Sequence, residues 1–348
     1  MEDHYMIDMK TYQSLHSKDK TRFDQMVYPG NNPPPKNEIS KANMARNIPP
    51  GDDFKVLMPP KIKGYNFCRN EWRNLKVDQI SDVVWQGEAF HRLEIDYEAK
   101  DLIRALVVNH LETENLADST AGKGNGLTLL LHGGPGTGKK HTAESVAEIA
   151  KKPLYRVTCG DLGTKAEVVE QNLESALHLA RLWACVVLLD EADIFLEQTR
   201  LGDLERNALA SVFLRMLKSY NGIVILTTSR VGTFNEAIRS QIQLALHYPA
   251  LNPYQRSMIW RNLIDQLVFS SDDLDISDLS EHAESLGNED LNGRQIKNVL
   301  TNACRYARWK KVPLTCKHIK DVIEVSGRFG TFLEKGNEDE LAFDEWLH

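Results

Sequence analysis

Two groups of residues in this chain have the types and spacing for phosphate chemistry. Gly133-Gly134-Pro135-Gly136-Thr137-Gly138-Lys139 is rich in glycine and ends on a lysine. Gly133, four residues, Gly138 and Lys139 fit the Walker A spacing, in which backbone N–H groups cradle an anion and the lysine completes the cradle. Asp190-Glu191 closes the apolar run Cys185-Val186-Val187-Leu188-Leu189. An acidic pair delivered by an apolar strand is the Walker B pattern. There the first carboxylate orients Mg²⁺ and its water, and the second polarises an attacking water. One position departs from that chemistry. Walker A has Ser or Thr after the lysine, with its hydroxyl on Mg²⁺, and this chain has Lys140. An ammonium has three donors and no lone pair, so it ligates no cation. Thr142 is no substitute, because it lies roughly 200° round the helix axis from position 140. An ammonium about 4 Å from Mg²⁺ meets a repulsion on the order of 8 kcal/mol at an effective dielectric near 20. Lys140 therefore either swings out and leaves the metal one ligand short, or replaces the metal and binds phosphate itself.

The elements that must position these residues follow from periodicity. Leu127 to Leu131 reads as a short buried strand. His141 to Ala150 reads as a helix with Ala143, Val146, Ala147 and Ala150 on one face. The glycine loop thus lies between a strand and a helix N-terminus, where an anion is favoured. Pro153 to Thr158, the run that ends at Asp190, Gly222 to Leu226 with its polar tip Thr227-Thr228-Ser229-Arg230, and Ile242 to Tyr248 read as further strands. Asp96 to Asn109 (Leu102, Ile103, Leu106 and Val107 on one face), Thr164 to Ala184 and Leu204 to Tyr220 read as helices, and Asn115 to Asn125 as a loop. The alternation predicts an α/β fold: a P-loop parallel sheet covered by helices on both faces, with ligands at the strand C-termini. From Pro253 the pattern is helical only. Met258, Ile259, Leu263, Ile264 and Leu267 form one stripe. Ile296, Val299, Leu300 and Ala303 form another after Asn292-Gly293-Arg294, and a final short helix spans about Lys317 to Val325.

The expected organisation is an N-terminal remnant or linker over 1–79, a nucleotide-binding αβα domain over 80–250, a small C-terminal all-helical lid over 251–327 and an acidic tail over 328–348. Tyr5 to Tyr12 reads as a strand and turn, and Gly64 to Lys76 as a hairpin with packing aromatics around Arg69-Asn70. Pro29 to Pro35 and Pro49 to Gly51 break any regular element, as a linker or a proline-motif ligand. The tail carries Phe343 and Trp346 as a loosely held segment or a partner-docking motif. The chain has 348 residues, 42% hydrophobic, with net charge −7. That balance argues against broad electrostatic binding of nucleic acid. Five scattered cysteines without CxxC spacing suggest neither a zinc site nor a disulfide framework. No stretch has the apolar length of a membrane span and the N-terminus has no signal-peptide pattern, so an intracellular, cytoplasmic setting is the default, with nuclear or organelle association also open.

This ordering resembles the AAA ATPases, over roughly Ile80 to Gly327, and particularly a fungal branch with an extra N-terminal domain. The resemblance rests on Gly133 to Lys139 with Ala143-Glu144-Ser145-Val146-Ala147-Glu148, on Leu189 to Asp193, on Leu226 to Val231, and on Asn292 to Ile296. It implies ATP or ADP as ligand, Mg²⁺ as the expected metal, ATP hydrolysis as the activity, and a homo- or hetero-oligomeric ring with a protein client. Carried over by residue, Gly133, Gly134, Pro135, Gly136, Thr137, Gly138, Lys139 and Lys140 form the loop, and Lys139 contacts the β- and γ-phosphates. Asp190 supports Mg²⁺, Glu191 activates water, Ser229 stands at the sensor 1 position, and Arg294 matches the sensor 2 arginine. The family's Asn at sensor 1 is Ser229 here. Its Ser-Arg-Ile finger reads Ser240-Gln241-Ile242, with Arg239 two residues away as a replacement. Where unfolding members of the family carry an aromatic–hydrophobic–glycine pore loop, this chain has Cys159-Gly160-Asp161-Leu162-Gly163, without the aromatic. A missing finger costs ~10³–10⁵ in rate. The resemblance and its departures lead to an ATP-binding protein with weak or lost hydrolysis. The alternatives are a working Mg²⁺-ATPase that remodels a protein partner and a non-nucleotide interaction domain.

Overall fold

The computed structural model describes residues 4–16, 59–117, 126–163, 165–196, 204–230, 236–268 and 274–327. The two proline-rich breaks and the acidic tail lie outside them. The chain divides into two compact units, 1–85 with 153–156, and 86–152 with 157–348.

The first unit is a three-stranded antiparallel sheet, β1 (Tyr5–Met6), β2 (Lys61–Asn66) and β3 (Glu71–Lys76), with helix α1 (Met9–Leu15) after β1. The hairpin turn works because Asn66 Oδ1 accepts from the N–H groups of Cys68 and Arg69, and Asn70 takes a left-handed φ of 53°. Tyr65 and Phe67 are buried and share ring contacts with Tyr155. Tyr5 to Tyr12 is not one strand and turn. Asp8 caps a helix by accepting from Thr11 N at 3.0 Å, and Tyr12 lies inside that helix.

The second unit begins with α2 (Glu88–His91) and α3 (Tyr97–Ala117). Helix α3 runs well past the expected end, which leaves 118–125 as the part of the loop outside the described residues. Ile103 and Val107 are fully buried on α3, whereas Leu102 is exposed. The sheet follows, interleaved with helices: β4 (Leu127–Gly133), α4 (Lys139–Ala150), β5 (Leu154–Thr158), α5 (Cys159–Leu162), α6 (Ala166–Leu182), β6 (Val186–Asp190), α7 (Asp193–Leu196), α8 (Leu204–Ser219), β7 (Ile223–Thr228), α9 (Glu236–Arg239) and β8 (Leu244–Tyr248). Strand order is β5-β6-β7-β4-β8, with β6–β7, β7–β4 and β4–β8 parallel. Strands β6 and β7 are buried at every residue, which is why they read as unbroken apolar runs. The fold is therefore the expected α/β arrangement, a parallel sheet flanked by helices with a C-terminal helical part.

That helical part comprises α10 (Pro253–Val268), α11 (Ile276–Gly287), α12 (Gly293–Lys310) and α13 (316–327). Its core centres on Trp260, fully buried among Ile264, Leu279, Leu286, Ile296 and Leu300. Of the stripe read from α10, Ile264 is buried and Ile259, Leu263 and Leu267 pack against this core, while Trp260 joins them from outside the stripe.

Candidate functional site

Strand β4 ends at Gly133 and α4 starts at Lys139, so the six residues from Gly133 to Gly138 make the turn. Three of its glycines have positive φ: 148° at Gly133, 73° at Gly136 and 103° at Gly138. Side chains disfavour these angles, and a Cβ on Gly133 would stand 2.1 Å from the carbonyl oxygen of Tyr248. The fold fixes the loop tightly on the β8 side. Gly138 has open space around it, as a backbone that approaches an anion needs.

Lys139 turns into this loop. Its Nζ donates to the carbonyl oxygens of Gly133 and Gly134, each at 2.6 Å. Burial holds the ammonium below its ordinary pKa; Lys140 and Arg294 push the same way, and Asp190 and Asp193 oppose them. The charges of all four residues thus converge on the lysine. Arg294 comes close because α12 begins against the loop. The Gly293 N–H donates to the Gly136 carbonyl at 2.9 Å, and Asn292, which caps α12 through Gln295 N at 3.0 Å, fills the space beside Gly136.

The acidic side of the site is built by β6 and β7. Asp190 is 2% exposed. Its Oδ1 accepts from the Thr227 hydroxyl at 2.7 Å, and its Oδ2 is ion-paired with Lys140 Nζ. A carboxylate this buried requires such partners. The first residue of Walker B and the anomalous residue of Walker A therefore meet directly. Thr142 is turned elsewhere: it is buried, its hydroxyl reaches back to the Gly138 carbonyl at 3.3 Å, and it accepts from the Tyr248 hydroxyl at 2.8 Å.

Glu191 is exposed with a left-handed φ of 58°, and its N–H donates to Thr227 Oγ1 at 3.1 Å. Thr227 thus ties both carboxylate-bearing residues to the tip of β7. Sequence reasoning missed Thr227; the signal was two threonines closing an otherwise apolar strand. It also passed over Asp193, whose carboxylate accepts from the Thr228 hydroxyl and from Arg230 N at 3.3 Å. Ser229 lies between these two and is exposed. Cys159 donates its thiol to the Glu191 carbonyl at 2.7 Å. Burial pushes that thiol up to about 12, and nearby Asp193 and Glu191 add to the shift, so it stays protonated. Across the loop, His132 and His247 sit opposite each other on β4 and β8, with 3.3 Å between their Nδ1 atoms. Arg239 ends the one-turn helix α9, is exposed, and is not among the charges acting on Lys139. Gln241 bonds its neighbour Ser240 through Nε2 at 3.0 Å.

The donor set fits a polyphosphate: the loop N–H groups, Lys139, Lys140 and Arg294 present positive character on one side. It does not fit Mg²⁺. Both oxygens of Asp190 are engaged, one by an ammonium, and position 140 has no lone pair to offer. Among the described residues, no group of three or more His, Cys, Asp or Glu is placed to hold a metal ion.

Comparison with known proteins gives the family. Residues 129–249 match the AAA family, ATPases associated with various cellular activities, and residues 251–340 match the fungal AAA+ ATPase lid domain. The chain is 24% identical over 237 residues to a 26S proteasome regulatory subunit homolog of Methanothermobacter marburgensis, covering 63% of this chain and 62% of that protein. It is 26% identical over 188 residues to fidgetin-like protein 1 of Drosophila melanogaster, covering 51% of this chain and 34% of that one. It is 26% identical over 153 residues to the Lon protease of Leptospira interrogans, covering 38% and 17%. The chain thus spans less than two thirds of the length of each of these relatives. Among solved structures, the FIGL-1 AAA domain in complex with ADP matches with a TM-score of 0.49 and 20% identity, covering 66% of this chain and 81% of that one. With a P-loop, a parallel sheet whose β6 delivers Asp190-Glu191, and a matched lid whose α12 begins against the loop, this chain belongs to the AAA family of P-loop ATPases and carries a fungal-type AAA lid.

Proposed function

We propose that this protein binds ATP or ADP in the loop from Gly133 to Lys140, with Lys140 in the place of the metal, and that its hydrolysis is weak or lost. The observation that carries this reading is the ion pair between Lys140 and the buried Asp190. Lys139 and Arg294 address the phosphates, and Lys140 neutralises the carboxylate that a magnesium ion would otherwise occupy. Glu191 remains exposed and able to orient a water, but the cation that would stabilise the leaving phosphate is a fixed ammonium. Ser229 in place of Asn and Gln241 in place of the finger arginine point the same way. Arg239, exposed at the end of α9, is a candidate to serve a neighbouring subunit. On this reading the protein is a regulatory or structural subunit of a homo- or hetero-oligomeric ring inside the cell. The short helix α5 stands where unfolding members of the family carry an aromatic loop, which disfavours threading of a client.

The second reading is a working Mg²⁺-dependent ATPase that remodels a protein partner. Lys139, Asp190, Glu191 and Arg294 are all retained, and Glu191 is exposed, where it can meet a water. Calorimetry separates the two. Affinity for ATP and ADP equal or better in EDTA than in Mg²⁺ is the expected result. Affinity that requires Mg²⁺, with turnover abolished by Glu191→Gln, would replace the first reading by the second.

A further inference from the structure

The C-terminal end of α12 carries charge that nucleotide binding does not use. From residue 291 to 320 the sequence has eight lysines and arginines and no Asp or Glu, in a chain of net charge −7. Arg294 belongs to the loop end of the helix. Arg305, Arg308, Lys310 and Lys311 gather at the other end, and all four are exposed. They surround an aromatic pair. Tyr306 and Trp309 stack with 6.3 Å between ring centroids and 8° between planes, Lys310 Nζ lies 4.2 Å over the Tyr306 ring, and His318 of α13 meets that ring edge-on at 5.8 Å. Trp309 is 77% exposed. A large indole left in water among cations suits an acidic segment with aromatic anchors.

The same chain supplies such a segment. Residues 336–348, outside the described residues, contain Glu338, Asp339, Glu340, Asp344 and Glu345 and no Lys or Arg. Phe343, Trp346 and Leu347 are spaced i, i+3, i+4, one face of a helix. The reach is sufficient. Helix α13 begins beside this face, where His318 meets Tyr306, and its own length of about 17 Å at 1.5 Å per residue bounds how far it takes the chain from there. The eight residues 328–335 span up to about 27 Å when extended. We propose that residues 336–348 dock on the Tyr306–Trp309 face of α12 within the same chain. Their carboxylates pair with Arg305, Arg308, Lys310 and Lys311, and Phe343, Trp346 and Leu347 cover Trp309.

Hydrogen exchange of the full chain tests this. At about 50 mM salt, amides of residues 341–347 should exchange at least about tenfold more slowly than an unstructured segment. That protection should fall at about 500 mM salt, because the pairs are exposed. It should also fall in the surface variants Trp309→Ser and Arg308→Glu and in Trp346→Ala. The first two sites are exposed, so the melting temperature should not move and checks the fold of each variant. Exchange at the unstructured rate in the wild-type chain overturns the proposal. So does protection unchanged by Trp309→Ser and Arg308→Glu, which would place the segment elsewhere. Protection that rises with protein concentration assigns the segment to a neighbouring copy and overturns docking within one chain.

Discussion

On the proposed reading, Lys140 is the residue on which the chemistry turns. Its ammonium lies against a carboxylate that is 3% exposed in its side chain, while the lysine side chain itself is 39% exposed. Removing one partner of a fully buried pair costs roughly 3–5 kcal/mol, and partial exposure of the lysine reduces that here to about 2 kcal/mol. Lys140→Thr should therefore lower the melting temperature in EDTA. The variant gains a hydroxyl and frees Asp190, so Mg²⁺ with nucleotide should restore the lost stability and make binding magnesium-dependent. A melting temperature and affinity indifferent to Mg²⁺ in this variant would remove the argument for position 140. Gly136 permits a second test. Alanine there meets a φ of 73° and the Asn292 side chain at 2.3 Å. Alanine at Gly138 meets positive φ and open space. Gly136→Ala should be the more destabilising of the two by about 1 kcal/mol, the worth of a disturbed helix cap. Equal thermal shifts would show that Asn292 moves aside freely.

At the scale of elements, Glu114 on α3 links the helix before the P-loop strand to Lys152, just after the P-loop helix. Burial raises the Glu114 pKa, but the hydrogen bonds and charges of His110 and Lys152 outweigh it and hold it below the usual glutamate range. A depressed carboxylate contributes stability above its unfolded pKa and loses it as pH falls through the folded one. The wild-type protein should lose stability below about pH 4.5, and Glu114→Gln should flatten that part of the curve. Identical acid limbs in urea denaturation would contradict this link. Elements were the most legible level of the sequence. The apolar runs of β4, β6 and β7 and the alternation of strand and helix give the sheet away, because burial on both faces demands them. Short elements were not legible. Helices α5, α7 and α9 have four residues each, too few for a period to repeat. The start of α1 rests on one cap, Asp8, inside a stretch read as a strand and turn. In the site, the glycines and acids were plain from spacing, but the Lys140–Asp190 contact and the part of Thr227 needed the sheet to bring distant segments together. Trp260 was missed because the stripe on α10 was read from unbranched and branched aliphatic side chains, without the aromatic beside them.

At the scale of the whole molecule, the lid core and the P-loop meet through α12, whose first residue donates to Gly136 and whose buried face packs on Trp260. Trp260→Ala should cost about 3–5 kcal/mol, as for other buried large-to-small changes. It should raise hydrogen exchange across α10 to α12 and weaken nucleotide binding through Arg294, while β6 and β7 stay protected. Loss of protection throughout the sheet would mean that the lid and the sheet unfold as one unit.

The Lys140–Asp190 pair has a consequence for what the site can sense. A metal ion has a concentration and can be titrated away; a cation tethered to the backbone has neither property. On the proposed reading, magnesium in solution is no longer a cofactor but a competitor. It holds ATP in a complex that the loop receives poorly, and so depletes the free nucleotide that the loop receives well. Occupancy would then follow the uncomplexed nucleotide pool. A ring that contained such a subunit would have one position that registers free magnesium by losing its ligand as magnesium rises.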